Sequence, residues 1–303
     1  MVRRGLWLTT VLALVQASCC AAIACAQWTE PVSVQHAAYR VTGAPSALVH
    51  APASFDPTQP LHLVVFLHGF MGCAEVLMRE GSVACKPGGP PLTGWNLAHA
   101  HDSAGTSTLF VIPQLAFMKR DGKAGCFART DCFRSFLQEL LSALPSARLQ
   151  GHKTLADVAS ITLVAHSAGY RAALALLEHG QVQALVHDVV LLDALYGEQE
   201  RFFAWVAAPR KPPARLVSLH IGAGGPAQHS AQLLRMARRR FGSASAAKLD
   251  KLDKLDEPSF AAALRGKRVV IARVEVEHRL LPEAYLGRVL RALDPSSAPA
   301  EPK

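Results

Sequence analysis

Residues 161 to 170 read ITLVAHSAGY: a run rich in β-branched and apolar residues ends in a His, a Ser and two small residues, and RAALALLEHG, of helical composition, follows at once. A Ser hydroxyl is a weak nucleophile at neutral pH. It attacks an acyl carbon only when a base takes its proton and a third group orients that base. Donors must also stand where negative charge develops on the carbonyl oxygen. Taken alone, Ser167 fits equally well a residue capping a helix N-terminus. The chemistry therefore depends on what the rest of the chain brings to it.

Two other stretches hold residue types that could form a site. HAHD (99 to 102) has the look of a metal-hydrolase His cluster, but Ser103 breaks the pattern and no Cys or Glu partner is spaced to complete a zinc site. A helix surface is expected there. GAGGPA (222 to 227) lacks the third Gly of a dinucleotide loop and fits a strand-to-helix turn. Neither a cofactor nor a metal is expected.

The elements that must position Ser167 alternate along the chain. Strands are expected at 47 to 55, 61 to 68, 108 to 115, 160 to 167, 188 to 195, 214 to 222 and 268 to 276. Several are apolar on both alternating faces, as strands buried between two helical layers must be. Helices are expected in FRSFLQELLSAL, AGYRAALALLEHG, EQERFFAWVAA, PAQHSAQLLRMARRRFG and LPEAYLGRVLRAL. This alternation points to an α/β fold, a mostly parallel sheet covered on both faces. The charged run AAKLDKLDKLDEPS (246 to 259) is expected to be a solvated insertion or a helix extension.

In an open α/β sheet, reactive groups collect where strand carboxyl ends turn into loops, and Ser167 lies at such an end. Ala165-His166-Ser167-Ala168-Gly169 resembles the nucleophile elbow G-x-S-x-G of the α/β-hydrolase superfamily, with Ala in place of the first Gly, as in a subgroup of small bacterial lipases. The resemblance covers roughly residues 46 to 293. It implies a doubly wound sheet of about eight strands, mostly parallel, with helices on both faces, and site residues in the order Ser, acid, His. His278, between the last strand and the last helix, is where the family's His reaches back to the Ser. The stretch LVSLHIGAGGPAQHS holds no Asp or Glu, whereas VVLLDALYG ends its apolar run in Asp193, where a minority of the superfamily's lipases carry the acid. An Asp buried at that point needs a partner, and an imidazole that turns cationic is a suitable one. Glu275 and Glu277 are fallback acids. The implied oxyanion donors are the amides of Ala168 and of Phe70, which follows His68-Gly69, with Met71 as second choice. His166 is expected to pack under the elbow, and Trp95 and Trp205 to serve as core or pocket wall. The interval 196 to 213 barely holds one helix, so no large cap domain is expected. The pocket should be open and walled by segments 71 to 107 and 117 to 133.

Half of the 303 residues are apolar and 18% are charged, which suits a globular chain. Two Arg, an apolar run and small residues ending in Ala24-Cys25-Ala26 have the order of a secretory signal peptide, expected over 1 to 26, with a lipidated Cys or a membrane anchor as alternatives. One domain is expected over 27 to 295 and a disordered tail over 296 to 303. Cys73, Cys85, Cys126 and Cys132 remain after the leader, an even number that suggests two disulfides in an exported chain. Three pairings are open, with the sequence-near one favoured. The net charge of +9 includes a basic stretch, LLRMARRRFG (233 to 242), without interleaved aromatics, so a solvated helix face is expected rather than nucleic-acid binding. These features point to an exported serine hydrolase acting on small-molecule or polymer acyl esters. An amidase or peptidase using the same three side chains, and a catalytically silent binding protein with the same fold, are the alternatives. The sequence leaves the oligomeric state open.

Overall fold

The computed structural model describes residues 27–294 except 118, 121, 223 and 251; the expected leader and tail lie outside the described residues. Nine strands form one sheet: β1 (Trp28–Val32), β2 (Ala47–Ala51), β3 (Leu61–Leu67), β6 (Leu109–Pro113), β7 (Val158–His166), β8 (Val186–Leu192), β9 (Arg215–Ile221), β10 (Ala246–Leu249) and β11 (Val269–Val274). Their order is β1-β2-β6-β3-β7-β8-β9-β11-β10. The first two pairings, β1 with β2 and β2 with β6, are antiparallel, and every pairing from β6 to β10 is parallel. A separate two-stranded hairpin joins β4 (Ser82–Ala84) to β5 (Pro91–Thr93).

Strand alternation divides the core in two. Leu61, Leu63, Val65 and Leu67 of β3 join one apolar cluster, and Val64 and Phe66 join the other. The first cluster is covered by α3 (Cys132–Ala143), α5 (Tyr170–His179), α6 (Gln199–Ala207) and α7 (Gly225–Phe241). The second is covered by α1 (Ala74–Met78), α2 (Leu97–Asp102), α8 (Glu257–Leu264) and α9 (Leu281–Leu293). A one-turn helix, α4 (Ser146–Leu149), precedes β7. Strands buried on both faces need apolar runs, and β8 ends in one, VVLL, with Val189 and Leu191 facing one way and Val190 and Leu192 the other.

The sheet has nine strands where about eight were expected. The charged run at 246 is neither a solvated insertion nor a helix extension: its first residues form the parallel edge strand β10, and α8 begins within its last ones. Ala246, Leu252, Phe260 and Leu264 are buried, so the apolar residues spaced among the charges anchor the segment. HAHD lies on α2 as expected, but only His99 is exposed, and His101 is fully buried, stacked on Phe110 at 4.9 Å. In α7, Leu233, Leu234 and Ala237 face the core while Arg235, Arg238, Arg239 and Arg240 face outward. Cys73 is bonded to Cys85 and Cys126 to Cys132. Among the described residues, no helix is long and apolar enough to cross a membrane.

Candidate active site

The strand order places the chemistry-bearing residues side by side. β7 lies between β3 and β8, with Leu67 paired to Ala165 and His166 to Leu192. Ser167 at the end of β7 is therefore flanked by His68-Gly69 on one side and Asp193 on the other. His278 arrives in the turn after β11, two strands beyond β8.

Ser167 has φ 53°, the left-handed region that a non-glycine residue adopts only in a constrained turn. The chain enters from β7 and leaves through a 3-10 turn, Ser167–Gly169, into α5. This sharp reversal requires small neighbours. A Cβ on Gly169 would lie 2.0 Å from the Leu67 carbonyl oxygen, and one on Gly69 would lie 2.7 Å from the Ala168 nitrogen and 2.9 Å from the Ser167 Cβ. Ala165 is completely buried in the core.

Asp193, 3% exposed, also has a left-handed backbone (φ 45°). Its Oδ2 lies 2.7 Å from His278 Nδ1. A carboxylate only accepts, so Nδ1 carries the proton and Nε2 is left with a lone pair. Oδ1 accepts the Ile221 amide at 3.2 Å, and the Asp193 amide donates to the Leu219 carbonyl at 2.7 Å, which fixes the carboxylate over the end of β9. Glu275 and Glu277 are both exposed, and Glu275 lies 3.8 Å from Arg273. Ser167 and His278 line the same cavity, of about 730 Å3.

On the other side of Ser167, buried His68 orders the loop that carries Phe70. Its Nε2 accepts the Leu115 amide at 3.1 Å, so its proton sits on Nδ1, 3.2 Å from the Gly69 carbonyl oxygen. Burial pushes its pKa down to about 4. The Met71 amide donates to the Lys119 carbonyl at 2.8 Å and is thus already engaged, which favours Phe70 between the two expected donors.

Two residues contribute beyond the reading of the sequence: His166, expected only to pack under the elbow and buried as expected, and Tyr196. His166 Nε2 donates to the His278 carbonyl at 3.0 Å, and the two rings lie 4.5 Å apart. Burial, and next the neighbouring His278, push its pKa down to about 3, so it stays neutral and holds the His278 turn. Tyr196, three residues after Asp193 and 45% exposed, lines the cavity beside Ser167, and burial followed by the Asp193 charge raises its phenol pKa. Neither has a sequence motif, although His166 stands next to Ser167.

The cavity walls come from the segments expected to form them: Val76, Leu77, Leu92 and Trp95 from the first, and Arg120 from the second. Trp205 is buried in the core. Away from this cavity, His50, His101 and Asp102 bring three possible metal-ligand atoms within 4.8 Å of one another. His50 Nε2 already donates to Asp102 Oδ1 at 2.8 Å, and His101 Nε2 lies 2.8 Å from Thr108 Oγ1, so hydrogen bonds account for most of that cluster.

No protein-family model and no curated protein matches the sequence. Among solved structures, the chain is similar to an S954A mutant of the feruloyl esterase module from Clostridium thermocellum, with a TM-score of 0.50 and 10% identity over 88% of this chain and 87% of that one. A structure described as FAE matches with a TM-score of 0.52, also at 10% identity over 88% and 87%. A ferulic acid esterase from Anaeromyces mucronatus covers 89% of this chain and 92% of its own at 12% identity, with a TM-score of 0.44. The sheet order and the first two likenesses agree: the chain has the α/β-hydrolase fold.

Proposed function

We propose that the protein is an exported serine hydrolase that cleaves carboxylic esters through an acyl-enzyme. The observation that carries this reading is the 2.7 Å contact of His278 Nδ1 with Asp193, made while His278 and Ser167 face one cavity. Ser167 Oγ attacks the acyl carbon as His278 Nε2 takes its proton. Asp193 holds the imidazole in the required tautomer and stabilises the imidazolium. The amides of Phe70 and Ala168 hold the oxyanion. Collapse of the tetrahedral intermediate expels the alcohol with the proton from His278. Water, activated by the same imidazole, then releases the acid. The solved feruloyl esterase module supports an ester as the bond cleaved. The leader and the two disulfides support export to an oxidising compartment.

A fluorophosphonate probe tests the reading. Stoichiometric covalent capture at Ser167 is expected, absent in Ser167→Ala and reduced in His278→Ala. A folded protein that captures none of the probe is a binding protein that has kept the fold. A mature chain beginning near Gln27 in the exported fraction is the matching test of the leader.

A further inference from the structure

The cavity above Ser167 is lined by three arginines and, among the described residues, by no carboxylate side chain. Each guanidinium lies over an aromatic face: Arg120 over Phe70 at 5.4 Å, Arg279 over Trp95 at 5.7 Å and Arg171 over Tyr170 at 5.7 Å. A guanidinium resting on a ring is held by the ring's quadrupole and carries five N–H donors; Arg279 Nη2 donates one to the Thr93 carbonyl at 3.4 Å, and Arg171 Nε one to the Tyr170 hydroxyl at 3.3 Å. Elsewhere on this chain arginines meet acids: Arg201 meets Glu178, Arg288 meets Glu257 and Arg215 meets Asp188. At the rim, Arg120 and Arg279 lie instead on aromatic supports beside an apolar space. An uncharged substrate has no use for that charge. A carboxylate does, because a guanidinium can grip it with two parallel hydrogen bonds, and apolar walls on either side strengthen the attraction.

We propose, resting on the ester-hydrolase reading above, that the substrate is an ester bearing a carboxylate beyond the scissile bond, gripped by Arg120 or Arg279. The two arginines flank different parts of the reaction. Arg279 follows His278, which hands its proton to the departing alcohol, so Arg279 lies on the alcohol side. Arg120 is stacked on Phe70, on the oxyanion side, within reach of the acyl chain.

Two probe pairs separate these sides. On the alcohol side, 3-carboxyphenyl butyrate is compared with its methyl ester. On the acyl side, 4-nitrophenyl hydrogen adipate is compared with 4-nitrophenyl methyl adipate. Each kcat/KM is divided by the probe's own hydroxide rate. The charged member of at least one pair is expected to be preferred about tenfold or more at low salt. That preference falls towards parity in 1 M NaCl as charges are screened, and at low salt in the Arg120→Gln/Arg279→Gln double variant. Arg239→Gln, on the outer face of α7, leaves the ratio unchanged. Parity or preference for the neutral ester in both pairs overturns the proposal, as does a preference that survives the double variant or high salt. If no probe turns over, the ester-hydrolase reading fails on its own. Calorimetry with Ser167→Ala then decides the anion question, by whether hydrogen adipate monoester binds at least tenfold tighter than its methyl ester or no tighter.

Discussion

The floor and the rim of the cavity are built by different means. The floor is the sheet itself: Ser167, Asp193 and the His68-Gly69 turn sit on the carboxyl ends of three adjacent parallel strands, whose register is fixed by backbone pairing and by two buried clusters. The rim is α1, the β4–β5 hairpin and the loop around Arg120, outside the main sheet. One side of α1 packs on the second main cluster through Ala74, Leu77 and Met78, and a small further cluster, in which Cys73, Val76 and Cys85 meet Val83, Leu92, Trp95 and Phe117, holds the rest of the rim. Three backbone bonds tie its ends together: Trp95 amide to Val76, Asn96 to Arg79 and Gly94 to Gly81. Reacting atoms need positions set to fractions of an ångström, which strand pairing supplies. A binding wall needs only a stable shape, which a staple supplies with few residues. Damage to the floor should therefore appear in kcat and damage to the rim in KM.

The largest effect expected after loss of Ser167 itself is that of Asp193→Asn. The amide cannot accept from Nδ1–H through its NH2 group, so the imidazole loses its tautomer and orientation. A fall in kcat on the order of 10^3- to 10^4-fold is expected, with little change in KM. Steady-state kinetics on a neutral aryl ester checks it, and a change confined to KM contradicts the assignment. Next is Gly69→Ala. Its methyl would lie 2.7 Å from the Ala168 nitrogen and 2.9 Å from the His166 carbonyl oxygen, all of it backbone that cannot swing aside. The two amides assigned to the oxyanion are pushed apart, and kcat is expected to fall by roughly 10^2- to 10^3-fold. A variant with unaltered kcat would move the oxyanion donors elsewhere.

The floor was far more legible in the sequence than the rim. Central parallel strands are buried on both faces, so β3, β6, β7, β8, β9 and β11 appear as mainly apolar runs, and the turn after β7 needs Ala168 and Gly169 to be small. The edge strands lack that constraint. β1 (WTEPV) tolerates Pro31 and Glu30 because only one of its sides pairs, and β10 (AAKL) is too short to show alternation. His101 read as surface because its burial is created by other elements, β2 and β6: His50 meets its ring at 5.7 Å and Phe110 stacks on it. The same reason hides Tyr196 and Gln114, whose side chain accepts the Ala74 amide at 3.1 Å and so anchors the start of the rim helix. Contacts made by one side chain reaching across the fold have no period for a sequence to display.

On the rim, removing the Cys73–Cys85 bond by the double change Cys73→Ser/Cys85→Ser is expected to raise KM several-fold and leave kcat within about twofold. The bond closes a loop between cysteines 12 residues apart, for which the chain-entropy account gives at most about 3 kcal/mol. Because Cys73, Val76 and Cys85 form a small cluster that meets the second main one only through α1 and Trp95, part of that loss should appear as local opening. Amide exchange over 73–95 should then rise more than exchange in the strands. Equal acceleration in β7 and β8 would show that floor and rim unfold as one unit, and the contrast between them would fail.

The smallest effect separates the two regions by pH. Burial holds His68 at about 4 and His166 at about 3 beneath the floor, with His101 at about 3 behind β2. Each folded value lies below the roughly 6.5 of an unfolded His. Between those values the unfolded chain binds the extra proton, so the stability each neutral ring contributes is full above about pH 6.5 and drains away as pH falls towards the folded value. The slope is roughly 1.4 kcal/mol per pH unit for each group. In His68→Gln, whose amide oxygen can still accept the Leu115 N–H, the dependence of unfolding free energy on pH between 6.5 and 4.5 should flatten by the equivalent of one proton. Urea titrations at several pH values measure it. The rim's Cys73–Cys85 bond carries no titrating group, so the stability lost in the double Ser variant should be the same at each pH, and a loss that grew on acidification would couple rim to floor through the His68-Gly69 turn.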